Sequence, residues 1–361
     1  MKKALVIPAA LLGAAALTMS GCSTPPSATT AETTAAPKID YIACMVSDSG
    51  GFDDKSFNQT SHDGLIKARD ELGVQTKEVE STNTKDFENN INSMVQAGCK
   101  TIVTVGYLLS DATVKAATAN PDINFAIVDD NPTAAKDLKN LKPLVFNTAQ
   151  SSFMAGYLAA SLSTSGKVGT FGGMKIPTVT IFMDGFAQGV TYYNEKKGKD
   201  VATLGWDSAK QDGQFVGGFE DVAAGKQTAK ALTSQGADIL FPVAGPAGQG
   251  ALQEALDSSG KVSAIWVDTD GCVSAANFCS ILASSVYKGM DVAVFDAIKD
   301  GVDGTFSNTA FVGTLDNGGT GLSPFHEFDS KVSADTKSEL DQIKKDIISG
   351  TITIESAAQP S

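Results

Sequence analysis

Residues 101–130, TIVTVGYLLSDATVKAATANPDINFAIVDD, contain the repeating unit that decides the fold. The β-branched run 101–105 predicts a strand, and the spacing in 110–119 predicts a helix that ends before Pro121. The apolar run 125–128 predicts a second strand, which ends at two aspartates. A strand, a helix and a strand in this order indicate a βαβ unit, whose two strands lie parallel in one sheet.

The same alternation continues on both sides of this stretch and restarts after about residue 145. Near-continuous apolar strands indicate sheets that helices cover on both faces. The sequence therefore predicts an α/β protein with two doubly wound, Rossmann-like lobes, in which binding residues follow the carboxyl ends of the strands. Further strands are predicted at 41–47, 74–79, 167–171, 201–206, 239–243, 264–267 and 280–284, and further helices at 56–72, 84–97, 151–162, 183–196, 223–235, 249–258 and 290–300.

Composition excludes several classes of function. The chain has 361 residues, 42% of them apolar, and a net charge of −13. The apolar fraction predicts a folded core, and the length fits two domains. The acidic balance argues against a nucleic-acid partner, because phosphate backbones require a basic surface. Two histidines in the whole chain give little support to a histidine-rich metal site or a catalytic triad, so we expect no catalytic residue, metal or cofactor.

The start of the chain is typical of an export signal. A short basic segment precedes an apolar run at 4–19, which is too short for a comfortable transmembrane helix. Cys22 follows small residues and resembles the cleavage site of a bacterial lipoprotein, although Met19 stands where leucine is usual. We expect a signal peptide at 1–21, a lipid on Cys22 that anchors the protein, and a flexible Ser/Thr/Ala/Pro-rich tether at 22–38. An ordinary signal peptide with a chance cysteine is the alternative.

Four further cysteines suit an oxidising compartment, in which an even number suggests two disulfides. Cys272 and Cys279 could close a short loop, and Cys44 and Cys99 could pair if their two predicted strands are neighbours. Four cysteines allow three connectivities, and four buried free thiols are the alternative.

The segment DSGGFDDKSFNQ at 48–59 connects a predicted strand to a predicted helix. Such a loop can offer backbone N–H groups to a polar ligand, and its aromatic side chain can stack on a base. The alternative is a plain βα turn in which Asp54 or Ser56 caps the next helix.

Six motifs follow one another along the chain, namely DSGGFDDKSFNQ at 48–59, FAIVDD at 125–130, GGFED at 217–221, FPVAGPAGQG at 241–250, WVDTDG at 266–271 and SSVYKGMDVAV at 284–294. In this order they resemble the BMP family, the basic-membrane-protein-like lipoproteins that serve as nucleoside-binding components of ABC transporters. The resemblance covers roughly residues 40–355 and implies the type I periplasmic-binding-protein fold, with two lobes joined by a hinge and the ligand in the cleft.

The resemblance implies binding roles for two phenylalanines and three polar residues that would contact the nucleoside. Phe57 and Phe219 would clamp the nucleobase from two sides. Asp48 and Asp129 would accept hydrogen bonds from the base or the ribose, and Asn58 in the same motif is a further binding residue. Core packing for the phenylalanines and helix capping for Asp129 are the alternatives.

Three more residues complete the implied site. Asp268 would accept hydrogen bonds from the ribose hydroxyls, since one carboxylate can accept from both hydroxyls of a cis-diol. Lys288 would donate nearby and offset the desolvation of that carboxylate. Gly245 would bring the backbone close to the nucleoside. Asp268 could instead cap a helix, and the neighbouring Asp130 and Asp270 leave the register open by one or two positions.

The resemblance also implies how the chain divides between the lobes. We expect an N-terminal lobe from 39–145 with about 272–312, and a C-terminal lobe from 146–271 with about 313–355.

The resemblance, together with the predicted lipoprotein signal, implies a binding protein of an ABC importer, anchored by lipid on the extracytoplasmic face of the cell membrane. The expected ligand is a nucleoside, with a purine favoured. The expected partners are permease and ATPase subunits, and the protein itself is expected to be a monomer. A binding protein of the same fold for a sugar or another small polar ligand is the main alternative. A nucleoside hydrolase would need an activated water, and a transcription regulator would need a basic helix-turn-helix where the signal peptide stands.

Overall fold

The computed structural model describes residues 36–360, which fold around two six-stranded sheets. The predicted signal peptide, the predicted lipidation site Cys22 and most of the predicted tether lie outside these residues. In chain order the strands are β1 Ile42–Ser47, β2 Gln75–Val79, β3 Thr101–Val105, β4 Asn124–Val128, β5 Leu141–Phe146, β6 Lys167–Gly172, β7 Ala202–Leu204, β8 Trp206–Asp207, β9 Asp212–Gly213, β10 Ile239–Val243, β11 Ser263–Asp268, β12 Leu282–Lys288, β13 Phe311–Gly313 and β14 Thr320–Leu322.

Helices connect these strands and cover the sheets, as the alternating pattern predicts. Within residues 36–360 no helix has the length and apolarity needed to cross a membrane. The helices are α1 Phe57–Leu72, α2 Phe87–Gln96, α3 Ser110–Ala119, α4 Thr148–Leu162, α5 Pro177–Lys197, α6 Val222–Ser234, α7 Gln249–Asp257, α8 Gly271–Ser274, α9 Met290–Asp303 and α10 Ala334–Ile348.

The strand order confirms the predicted α/β class with two doubly wound lobes. The first sheet has the order β13-β5-β4-β3-β1-β2, and all of its strands are parallel. The second has the order β14-β12-β11-β10-β6-β7, with β14 antiparallel to β12. The carboxyl ends of β1 and β4 in one lobe and of β10 and β11 in the other carry the residues of the candidate site.

Each sheet has apolar side chains on both faces. In the first lobe, Leu65 of α1 and Val294 of α9 pack on one face, and Ile91 of α2 on the other. In the second lobe α4 and α5 cover one face and α6 and α7 the other. The two helices α4 and α5 lie so close that a Cβ at Gly156 would overlap the carbonyl of Phe186, so only glycine fits there.

The chain crosses between the lobes three times within the described range. It crosses after Phe146, after Lys288, and between Gly313 and Thr320, and backbone hydrogen bonds join these crossing segments, for example from the N–H of Asn147 to the carbonyl of Gly313 at 2.8 Å. The sequence places the second crossing, at which the chain returns to the first lobe, at about residue 272. In the structure the chain returns only after β12, because this strand pairs in parallel with β11 of the second sheet.

Two local differences follow from tertiary contacts. The strand expected at 280–284 is displaced to Leu282–Lys288, since a 3₁₀ turn occupies Ala276–Ile281. The helix expected to begin at residue 183 begins at Pro177, a favourable first helical residue because its missing N–H needs no partner there. This earlier start brings the first turn of α5 to the cleft.

The four cysteines form the two disulfides that the sequence suggests. Cys44 in β1 is joined to Cys99, just before the neighbouring β3, with the two Cα atoms 5.9 Å apart. Cys272 is joined to Cys279, with Cα atoms 4.5 Å apart, and closes the short loop that carries α8.

Candidate ligand-binding site

A cavity between the two lobes collects the residues that follow the strand ends. Asp48 and Asp129 follow β1 and β4 of the first lobe, whereas Gly245 follows β10 of the second. All eight predicted binding residues line this cavity, namely Asp48, Phe57, Asn58, Asp129, Phe219, Gly245, Asp268 and Lys288.

A buried lysine links the two lobes at the centre of the cavity. The Nζ atom of Lys288 lies 2.5 Å from Oδ2 of Asp129 in the first lobe and 3.2 Å from Oδ1 of Asp268 in the second. Burial alone would lower the pKa of this amine, but the two carboxylates outweigh it and raise the pKa of Lys288. The lysine therefore remains charged and orients both carboxylates.

Two of these residues have an unusual backbone conformation. Asp129 has φ 65° and Asp268 has φ 69°, a left-handed region that non-glycine residues adopt infrequently. Such conformations persist only where the surrounding structure holds them, and they concentrate at binding sites. At each strand end the conformation ends the extended chain beside the cavity, where the side chain meets Lys288.

Asp48 has a different electrostatic environment. Burial raises its pKa to about 8; the nearby Asp54 and Asp129 add to this, while a hydrogen bond from Asn58 and the charge of Lys288 partly offset it. The carboxyl group of Asp48 is therefore mostly protonated at pH 7. It lies against the backbone at Gly106 (φ 120°), where a Cβ would overlap its Oδ2 atom.

The loop at 48–59 both caps α1 and lines the cavity. Asp54 accepts hydrogen bonds from the backbone N–H groups of Ser56, Asn58 and Gln59, at 2.9, 2.9 and 3.0 Å. Capping, one of the two interpretations of this loop, is therefore the role of Asp54, whose pKa burial raises to about 6. Asn58 donates to the carbonyl of Ser49 at 3.1 Å, while its buried Oδ1 atom has no partner and remains available as an acceptor.

Aromatic side chains form the apolar part of the cavity. Phe57 and Phe219 are both partly exposed, and the ring of Phe219 occupies the space that a side chain at Gly173 would need. Gly245 has φ 52°, and a Cβ there would meet only Phe219, at 3.8 Å. Its backbone conformation, more than a lack of space, explains the glycine.

The sequence does not identify several of the residues that line the cavity. Phe182 is buried within α5, with its ring 5.4 Å from Nζ of Lys288, and its sequence context is that of an ordinary core residue. Tyr107 and Leu108 follow the end of β3, and Ile176 lies in the loop after β6, so the rule that sites lie at strand ends could have found them. The remaining lining residues are Ser49, Asp54, Gly106, Thr178, Val179, Val243 and Pro246.

One group of metal-type donors lies in the described part of the chain, away from this cavity. Asp270, Cys272 and His326 are close together, but Cys272 is bonded to Cys279 and offers no thiolate. Oδ2 of Asp270 and Nε2 of His326 are 2.7 Å apart and satisfy each other. This group gives no support to a metal site.

Comparisons with known proteins agree with the architecture. The Bmp family, described as ABC transporter substrate-binding protein PnrA-like, matches residues 42–358. The "ABC transporter nucleoside-binding protein BmpA" of Lactococcus lactis subsp. cremoris is 33% identical over an alignment 376 positions long, which covers 99% of this chain and all of that protein. "Basic membrane protein A" of Borreliella burgdorferi is 30% identical, covering 89% and 88%. A solved ABC transporter solute-binding protein from Aeropyrum pernix K1 superposes with a TM-score of 0.78 at 25% identity, covering 87% of this chain and 92% of that one.

Proposed function

Because the chain belongs to the Bmp family of PnrA-like ABC transporter substrate-binding proteins, we propose that it binds a nucleoside in the cavity between its lobes. The observation that carries this proposal is the combination of partly exposed phenylalanines with the buried Asp129–Lys288–Asp268 cluster. An apolar flat base and a hydroxyl-rich sugar, joined in one small molecule, match these two kinds of surface. The relative from Lactococcus lactis, named as nucleoside-binding, supports the same ligand class.

The base is proposed to stack on Phe57 and Phe219. Stacking on an aromatic ring contributes about 1–3 kcal/mol per base and tolerates different bases. Specificity then comes from the polar edge of the base, for which the unpartnered Oδ1 atom of Asn58 and, once it is ionised, the carboxylate of Asp48 offer acceptors. Two acceptors suit the N1–H and the exocyclic amino group of guanine, and one of them suits the N1–H of hypoxanthine, which is why we favour a purine nucleoside.

The ribose is proposed to bind at Asp268. Its Oδ1 atom faces Lys288, and its Oδ2 atom accepts from the hydroxyl of Ser56 in the other lobe at 2.7 Å, so its position is fixed when the two lobes are in contact. A carboxylate oxygen has two lone pairs, so ribose hydroxyls can still donate to it. Lys288 lies beside this carboxylate, and hydrogen bonds assisted by charge are the stronger kind.

Delivery to a transporter completes the proposal. Ligand binding would bring the lobes together about the crossing segments, and the closed protein would dock on a permease driven by an ATPase. A lipid on Cys22 would hold the protein at the extracytoplasmic face of the membrane, and it would act as a monomer. We propose no enzymatic step, because Asp129, Asp268 and Asp54 are engaged by Lys288, Ser56 and backbone N–H groups rather than poised to activate water. The fourth carboxyl group that lines the cavity, that of Asp48, is mostly protonated at pH 7 and is therefore a weak base.

Native mass spectrometry of the exported protein tests the ligand class. We expect a bound species whose mass is that of a nucleoside and which disappears after unfolding and refolding. A bound sugar or amino acid would contradict the nucleoside and leave the family assignment intact. Release of free base from inosine by the purified protein would instead support the hydrolase alternative.

A further inference from the structure

A second set of contacts joins the lobes outside the ligand cavity. The backbone carbonyl of Lys55, in the first lobe, accepts hydrogen bonds from Nε1 of Trp266 at 3.1 Å and from Oγ of Ser274 at 2.8 Å. Both donors belong to the second lobe, and none of these three residues lines the cavity. We call Lys55, Trp266 and Ser274 the latch.

The acceptor of the latch is held in an unusual conformation. Lys55 has φ 62°, in the left-handed region, although it is not glycine. The side chains of its neighbours make other contacts, because Asp54 caps α1 and the hydroxyl of Ser56 donates to Asp268. The backbone of Lys55 therefore points its carbonyl to the other lobe at a conformational cost, and such a cost is expected where function requires it.

The donor Ser274 lies in a segment that a disulfide and hydrogen bonds hold in place. Ser274 ends α8, and α8 lies in the loop that the Cys272–Cys279 disulfide closes. The carboxylate of Asp270 accepts from the N–H of Cys272 at 3.0 Å and also contacts His326 at 2.7 Å. A short disulfide loop restricts where Ser274 can lie, so its hydroxyl is presented to Lys55 at little further loss of conformational entropy.

We propose that Lys55, Trp266 and Ser274 form a closure latch, a set of positioning residues that slows ligand release without contacting the ligand, and that the Cys272–Cys279 disulfide presents it. The proposal rests on the proposed function, in which the lobes close around a nucleoside. The latch forms only when the lobes meet, so its loss speeds reopening and leaves the capture of ligand by the open protein unchanged. It contacts no part of the ligand, so it affects every bound ligand by the same factor.

The experiment compares kinetics in the full, oxidised protein, with guanosine and inosine as probes. The test variants are Ser274→Ala and the double variant Cys272→Ser, Cys279→Ser. Two controls match them within a single lobe. Ser258→Ala removes a hydroxyl-to-carbonyl bond from Ser258 to Ala255 at 2.6 Å, together with the bond that the hydroxyl accepts from the N–H of Val262 at 2.9 Å. Cys44→Ser with Cys99→Ser removes the other disulfide.

Removing one hydrogen bond predicts a dissociation rate about fivefold faster in Ser274→Ala, for both nucleosides, with the association rate unchanged. The Cys272/Cys279 variant should dissociate faster as well. The two controls should retain the dissociation rate of the unaltered protein, even where the Cys44/Cys99 variant unfolds at a lower temperature. Unchanged dissociation in Ser274→Ala, or equal acceleration in a control, would overturn the latch.

A second readout separates this proposal from the proposed function. Should the unaltered protein bind neither nucleoside, the proposed function fails, and hydrogen exchange of the exported protein, with its co-purified ligand still bound, then decides the latch. The amide hydrogens of residues 53–58 should exchange faster in the Ser274→Ala variant than in the Ser258→Ala variant. Equal exchange in the two variants would contradict the latch.

Discussion

Ligand binding should release a proton from Asp48. Burial raises the pKa of this carboxyl group to about 8, so in the absence of ligand only about a tenth of it is ionised at pH 7. A base N–H donates a stronger hydrogen bond to the carboxylate of Asp48 than to its neutral acid. The ligand therefore favours the ionised form and lowers the pKa of Asp48 in the complex.

The size of the effect follows from the pKa. The group loses its proton as the pH rises through about 8, so the affinity for a base that donates to it rises with pH and levels off above 8. Between pH 7 and pH 9 the affinity should rise by about tenfold, which corresponds to about 1.4 kcal/mol. At pH 7, binding should release about one proton per ligand.

Calorimetry between pH 6 and pH 9, in buffers of different ionisation enthalpy, measures both quantities. Asp48→Asn is the control, because its amide keeps an acceptor oxygen but does not titrate, and its profile should be flatter. The charged or titratable neighbours of Asp48 are Asp54, Asp129 and Lys288. Of these, Asp54 has a pKa of about 6, so the window from pH 7 to pH 9 isolates Asp48 best. A constant affinity across that window, or proton uptake on binding, would refute this reasoning.

Three further predictions concern the ribose, the packing at Gly106 and the lipid anchor. Ribonucleosides should bind about tenfold to a hundredfold more tightly than 2′-deoxyribonucleosides, and Asp268→Ala should abolish that difference, whereas Phe219→Ala should weaken all nucleosides alike in titration calorimetry. Gly106→Ala should destabilise the protein by about 1–3 kcal/mol in urea unfolding, because a Cβ there overlaps Asp48 and the residue has φ 120°; an unchanged midpoint would be inconsistent with the packing described. Cys22→Ala should move the protein from the membrane fraction to the soluble exported fraction with its affinity unchanged, and retention on the membrane would argue against the lipid anchor.

Local sequence patterns were sufficient for most of the elements. Strand 101–105 and helix 110–119 are found at the predicted residues, because β-branched runs and helical spacing depend on near neighbours. Gly73 ends α1 with φ 72°, as glycine after a helical run predicts. By contrast, β5 contains Pro143, which weakens any strand pattern, and only its pairing with β4 and β13 makes it a strand.

The site shows the same division between local and tertiary information. The resemblance to a family led to eight residues that line the cavity together, but sequence does not separate the aspartates by role. Asp54 caps a helix and Asp129 contacts Lys288, although both are acidic residues in loops after strands. Neighbouring carboxylates are now distinguished as well, since Asp268 faces Lys288 and Asp270 pairs with His326. Phe182 reaches the cavity only because α5 begins at Pro177 and packs beside the cleft.

The central claim is that the cleft binds a nucleoside through both its base and its sugar. Titration calorimetry on protein that has been unfolded and refolded to remove bound ligand tests it most directly. We expect saturable heat with guanosine, inosine or adenosine, and much weaker binding of guanine and of D-ribose, because each half of the nucleoside lacks the contacts of the other. Binding of D-ribose or another sugar as tightly as any nucleoside, or of no nucleoside at all, would contradict it.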